Sequence, residues 1–221
     1  MDEITKRWFD VSMVQVHRAP ELVGWYADEE LIRLSGAPKG SRLEVAPISD
    51  GRIELRTINA DLFSEPLVRA ISQDKNGDYV FEIQNAAFVL RPQFRRLGIG
   101  TRSVAIELHE ARRLAHFSKV WVSAVGDATS LEEPMAMVGY YAWARMGFNA
   151  PLPLDLSSHP SMPSAGRACS DLIGLLASSE GREFWRRFGR TLFMEFSLKK
   201  SSESWEHFLR YTKERNIEVT T

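Results

Sequence analysis

Gly98 and Gly100, one residue apart and preceded by Arg91, Arg95 and Arg96, are the residues of this chain whose types and spacing could best hold a ligand. Two readings of the stretch RPQFRRLGIGT, Arg91 to Thr101, are open: a plain turn, or a cradle for an anion. A strand ending in a loop whose glycines open a helix gathers unpaired backbone N–H groups and the positive end of the helix dipole around one point, where an anion is stabilised. The glycines remove side chains that would block close approach, and Arg95, Arg96 and Arg102 add positive charge. The dinucleotide-binding fingerprint requires a third glycine where this chain has Ser103, and the P-loop requires a Gly-Lys-Ser/Thr ending that is absent, so both patterns fail. His17, His109, His116 and His159 lack metal-ligand spacing, and no metal site is expected. Cys169 is the single cysteine, which excludes an internal disulfide and reads as a small buried hydrophobe.

The elements that must position this loop follow from residue periodicity. Val104, Leu108, Ala111 and Ala115 recur at steps of four, three and four between Gly100 and about Phe117, while Glu107, Glu110, Arg112 and Arg113 lie elsewhere on the wheel. This predicts one helix with one buried stripe. Before it, strands are expected at 11–17, 42–48, 52–58 and 79–91, with turns at Asp50-Gly51 and Asn76-Gly77 favouring antiparallel hairpins. Residues 20–34 read as a helix weakened by Pro20 and Gly24. After it, KVWVSAV at 119–125 suits a strand buried on both faces, and strand, helix and strand in that order make a parallel βαβ unit. Residues 149–166, with four prolines and four serines, read as an irregular excursion. Short helices at SDLIGLLASS and EGREFWRRFG, a strand at 191–198 and a closing helix from about Ser202 to Arg215 complete the chain, with Ser202 as its cap. The fold class expected is α/β, with a mixed, mostly antiparallel central sheet and a helical C-terminal extension. Residues 1–221 are read as one domain: a core at about 42–150, a helical insertion at 151–190, and a closing strand and helix at 191–221.

Composition restricts the partners. Of 221 residues, 28 are Lys or Arg and 29 are Asp or Glu, a net charge of −1, so no global field draws in nucleic acid or an anionic membrane, and neither is expected as a partner. No apolar run approaches the roughly 18 residues of a membrane span. MDEITKRWFD has no apolar core of a secretory signal, and a cytoplasmic location is the expectation.

FVLRPQFRRLGIGT resembles motif A of the GNAT superfamily of N-acetyltransferases: an apolar strand end, Pro, then Arg/Gln-x-x-Gly-x-Gly/Ala. Leu90, Pro92, Phe94, Arg95, Gly98, Ile99 and Gly100 fall in register. GYYAWARMGF, Gly139 to Phe148, resembles the helix that follows in that family, and together the likeness spans about residues 50–150. The resemblance implies a GNAT fold and acetyl-CoA as cofactor. The backbone of Phe88, Val89 and Leu90 would pair with its pantetheine arm, and the amides of Arg95, Arg96, Leu97, Gly98, Ile99, Gly100 and Thr101 would hold its pyrophosphate. It implies direct acetyl transfer to an amine of a small molecule or a protein. The sequence departs from the family where a tyrosine acid is usual, because that position is Trp143, which would instead face the cofactor. Tyr140, one turn earlier, is the first candidate acid and Tyr141 the second, with packing tyrosines as the other reading. Ala136 stands where an asparagine is often found. Glu82 and Asp127 are the candidate bases. Phe184, Trp185, Phe188, Trp205 and Phe208 read as core packing, or as a wall of the acceptor site or a homodimer face. The alternative function is a non-catalytic acyl-CoA-binding or protein-interaction module of the same fold.

Overall fold

The computed structural model describes residues 1–48, 51–84, 89–131 and 138–219. The chain is α/β and divides into two compact units, one of residues 1–120 and 212–221, the other of residues 121–211.

Unit 1 carries α1 (Glu3–Trp8), α2 (Asp28–Ser35), α3 (Ile99–Arg113) and strands β1 (Gln15–Arg18), β2 (Arg42–Pro47), β3 (Ile53–Ile58), β4 (Leu67–Gln73) and β5 (Tyr79–Gln84). The strands lie in sequence order, followed by the start of β6 (Phe117–Asp127), whose remainder belongs to unit 2. β1 pairs parallel with β2, and β2 to β5 pair antiparallel, so the sheet is mixed. The β4–β5 hairpin turns at Asn76-Gly77 as its sequence demands, with Gly77 at φ +83°. Alternation decides the faces: Leu43, Val45, Leu55, Thr57, Arg69, Ile71, Phe81 and Ile83 are buried, whereas Glu44, Arg56 and Glu82 keep contact with solvent. α2 packs on α3 and on β3 and β4. α3 joins β5 to its neighbour β6.

Several sequence expectations change here. β4 was not anticipated, since Arg69 sits at its centre. Residues 11–13 form a 3-10 turn capped by the Asp10 carboxylate, so the first strand starts only at Gln15. The 20–34 helix is cut into a 3-10 turn at Pro20–Leu22 and α2, with Gly24 at φ +85° between them. Of the expected 79–91 strand, Tyr79–Gln84 form β5 and Leu90 makes an antiparallel bridge to Phe63, while residues 85–88 lie outside the described residues. In α3 the stripe Val104, Leu108 and Ala111 is buried as expected, but Ala115 lies beyond the helix at φ +61° and is exposed. Glu107 and Glu110, expected off the buried stripe, are fully buried, and Arg69 and Arg113 pair with them.

Unit 2 contains the rest of β6, α4 (Gly139–Arg145), α5 (Leu154–Ser157), α6 (Leu172–Leu176), α7 (Ser179–Phe188), β7 (Arg190–Ser197) and α8 (Glu203–Glu214) as far as Tyr211. β7 is the neighbour of β6. Its core is aromatic, and Phe184, Trp185, Trp205 and Phe208 are buried, in keeping with the packing reading, while Phe188 is half-buried. The Ser202 hydroxyl accepts from Trp205 N–H at 3.2 Å and caps α8. Asn149 and Glu195 exchange backbone hydrogen bonds of 2.8 and 2.9 Å, so the segment between them, which includes α5, α6 and α7, starts and ends at one place.

Candidate functional site

The Arg91–Thr101 segment of unit 1 is built from two anchors. On the strand side, Ser64 N–H donates to the Val89 carbonyl and Arg91 N–H to the Leu62 carbonyl, each at 2.9 Å. Backbone groups of successive residues point to opposite edges of an extended strand, so the Leu90 N–H faces away from this pairing. The Leu90 carbonyl accepts Arg95 Nε at 2.9 Å, and Arg91 Nε donates to the Ala60 carbonyl at 2.7 Å. Both guanidinium groups are therefore fixed through Nε beside the loop. Phe88 lies outside the described residues.

On the helix side, Arg96 and Gly98 take φ +62° and +75°. Arg96 adopts a conformation that L-residues with side chains rarely hold, and Gly98 makes the left-handed turn directly before α3. A left-handed residue followed by a helical one points successive N–H groups into a shared concavity. The backbone N–H groups of Gly98, Ile99, Gly100 and Thr101 donate to no other described residue, and the first helical bond runs from Arg102 N–H to the Gly98 carbonyl at 3.3 Å. Below the loop, Ile99 packs into a cluster with Leu62, Phe63 and Leu67, against which Trp8, Phe9, Leu90 and Phe94 lie.

Arg102 does not add its charge to the loop. Its Nε donates to both carboxylate oxygens of Asp2 at 3.0 and 3.1 Å, and its Nη1 to the Gly98 carbonyl at 3.2 Å. Asp2 also accepts from Ile4, Thr5 and Glu218 N–H. Burial works to raise the Asp2 carboxyl, but Arg102 and these donors outweigh it and hold the group well below its ordinary value.

Glu82, also in unit 1, is half-buried on β5 and fully engaged. Arg52 Nη1 donates to Oε2 at 3.1 Å and Ser72 Oγ to Oε1 at 2.8 Å. His109 is half-buried rather than exposed, and burial, with Arg112 nearby, pushes it below its ordinary value.

The α4 residues lie in unit 2. Tyr140 is fully buried, and its hydroxyl donates to the Arg186 carbonyl at 2.6 Å. Burial pushes that hydroxyl up to about 12. Trp185 Nε1 donates back to the Tyr140 carbonyl at 3.0 Å, so Tyr140 and α7 hold one another. Tyr141 is half-buried and its hydroxyl accepts a long contact of 3.4 Å from Arg145. Trp143 is 4% exposed and packs edge-on against Phe148. A side chain at Gly139 would meet the Val125 carbonyl at 2.8 Å, so this glycine lets α4 approach the β6 backbone. Asp127 is a local cap: the Thr129 hydroxyl, with the N–H groups of Ser130 and Thr129, holds its carboxyl below the usual range. Ala136 lies outside the described residues. Among the described residues no group of three His, Cys, Asp or Glu could hold a metal, and no helix is long and apolar enough to cross a membrane.

Sequence reasoning missed the buried set behind the loop. Arg69 of β4 donates from Nε and Nη2 to Glu107 of α3 at 3.0 and 2.7 Å, with both side chains fully buried. Ser103 Oγ donates to the Gly36 carbonyl at 2.8 Å and sits 3.2 Å from Glu107 Oε1. An arginine inside a run otherwise fit for a central strand was the available signal, since a buried charge requires a partner.

Against known proteins, the chain matches no family model, no curated protein and no solved structure.

Proposed function

We propose that the chain is an acetyl-CoA-dependent N-acetyltransferase that moves an acetyl group directly to the amine of a small-molecule or protein acceptor, and that its sheet and α3 are a GNAT fold. The observation that carries the reading is the row of four backbone N–H groups, Gly98 to Thr101, with no acceptor among the described residues, at the N-terminus of a 15-residue helix and flanked by Arg91, Arg95 and Arg96. That donor set fits a pyrophosphate: many N–H groups, a helix dipole and bidentate cations. The Leu90 N–H, turned away from the Val89 and Arg91 pairing, suits an amide of the pantetheine arm.

Bound acetyl-CoA supplies an activated thioester whose thiolate, with a thiol pKa of about 8.5, leaves without strong acid help. The chain then has to bind and orient it and deprotonate the acceptor, since an alkylammonium of pKa about 10.4 is unreactive. Glu82 takes the base role, its carboxylate oriented by Arg52 and Ser72. With the Tyr140 hydroxyl committed to a backbone carbonyl, the acid role passes to Tyr141.

Calorimetric titration with acetyl-CoA, together with thiol release in the presence of an amine panel, tests this. Wild type should bind and Gly98→Val should not, because valine resists φ +75° and its Cβ would collide with Arg102 Nη1. Equal affinity of the two would remove the cradle assignment. Tight binding without thiol release from any amine favours the second reading, a non-catalytic acyl-CoA-binding module, for which the buried Trp143 in place of a tyrosine speaks.

A further inference from the structure

Ser103 occupies the first turns of α3, two residues past the last amide of the loop, and its hydroxyl reaches out of the helix to another element. It donates to the carbonyl of Gly36, the left-handed C-cap of α2, and abuts Glu107, one turn along the same face of α3. Glu107 is gripped bidentately by Arg69, which also donates to the Val68 carbonyl of its own strand at 3.0 Å. α3 is thus tied at two consecutive turns to two different elements, the end of α2 and the middle of β4. A single apolar stripe allows a helix to rotate by some degrees and slide; the planar fork between Arg69 and Glu107 holds the second turn against sliding, and the Ser103–Gly36 bond holds the first turn, next to the loop, against rotation. The direction of the N–H groups at a helix N-terminus is set by that rotation.

We infer that Ser103 is a positioning residue: through Gly36, Glu107 and Arg69 it holds the start of α3 in one orientation, so that the amides of Gly98 to Thr101 converge before any ligand arrives. The orientation itself is a property of the fold alone, while its effect on cofactor affinity rests on the proposed function. Preorganisation of this kind raises affinity by removing the ordering cost of binding.

Ser103→Ala removes the hydroxyl and keeps the Arg69–Glu107 pair, so the fold is retained. Ser35→Ala is the control: Ser35 is fully buried nearby and its hydroxyl donates to the Ile32 carbonyl within α2, with no hydrogen bond to α3 among the described residues. Amide order parameters of Gly98–Thr101 are measured by relaxation in the ligand-free protein, and CoA binding by calorimetry. The expected result is order parameters falling from about 0.85 towards 0.6 in Ser103→Ala only, with CoA affinity reduced about fivefold, the worth of one net hydrogen bond. Unchanged order parameters, an equal fall in Ser35→Ala, or a fall without any loss of CoA affinity overturns the inference. If wild type binds no CoA while the order parameters fall in Ser103→Ala only, the acetyl-CoA reading fails and the positioning role stands.

Discussion

Replacing Gly36 with alanine tests how tightly the end of α2 is locked onto α3. Gly36 has φ +59°, and a Cβ there would fall inside contact distance of Ser103 Oγ and Glu107 Oε1. Three costs add. Alanine in the left-handed region costs about 1 kcal/mol. Ser103 must leave the Gly36 carbonyl, at about 1 kcal/mol for one net hydrogen bond. Glu107 must shift in its buried pair with Arg69; complete loss of a partner there costs about 3–5 kcal/mol, and a partial displacement roughly 1–3. The sum is roughly 3–5 kcal/mol, which for a chain of this length lowers the melting temperature by roughly 6–20 °C. Gly24→Ala supplies the reference, because Gly24 has φ +85° but nothing within 4 Å of the added Cβ. It should lose only the conformational part, about 1 kcal/mol. Urea unfolding followed by circular dichroism measures both. If the two variants differ by less than about 1 kcal/mol, the contact with the buried network contributes nothing and the reasoning fails.

Asp2→Asn should flatten the acid limb of stability. A carboxyl held below its ordinary 3.8 stabilises the fold fully above that pH and loses the contribution as pH falls, so wild type should exceed the variant by on the order of 2 kcal/mol at pH 7, with the gap closing below about pH 4. Tyr140→Phe should cost about 1–2 kcal/mol of stability, from the orphaned Arg186 carbonyl, and leave turnover nearly unchanged; a large fall in turnover at unchanged acetyl-CoA affinity would return the acid role to Tyr140. Tyr141→Phe should show the converse, slower turnover with little loss of stability, read by thiol release and thermal unfolding. Glu82→Gln should lower kcat by about 10²-fold or more while acetyl-CoA affinity holds, and an unaltered kcat would exclude Glu82 as the base.

The parts of this fold that could be read from sequence are those where local chemistry and tertiary demand agree. The Asn76-Gly77 hairpin, the Val104, Leu108 and Ala111 stripe and the Ser202 cap each follow from a rule with a range of a few residues. Where a distant partner decides, the sequence misleads. β4 hides because its central Arg69 makes sense only with Glu107 beside it, 38 residues later. Glu107 and Glu110 look like a solvated helix face until Arg69 and Arg113 are seen. α1 has only six residues, too short for periodicity to register, and Asp2 marks its start through a cap. In the candidate site, the glycine loop was visible because its backbone geometry is written in Gly98 itself. The role of Arg102 was not, because Asp2 lies 100 positions away. The commitment of the Tyr140 hydroxyl was equally hidden, since its acceptor is a backbone carbonyl that residue types cannot reveal.

The Asp2 carboxylate has a bearing on the order in which the molecule assembles. It joins Arg102, which also clasps the Gly98 carbonyl, to the N–H of Glu218, 216 residues away. Contacts of such sequence separation form late, and during synthesis the N-terminal part of a chain emerges and begins to fold first. The surroundings of the glycine loop are therefore completed only when residue 218 has left the ribosome. Until then Arg102 and Asp2 hold each other without their third member, and a nascent chain should acquire its sheet before the surroundings of the glycine loop are complete.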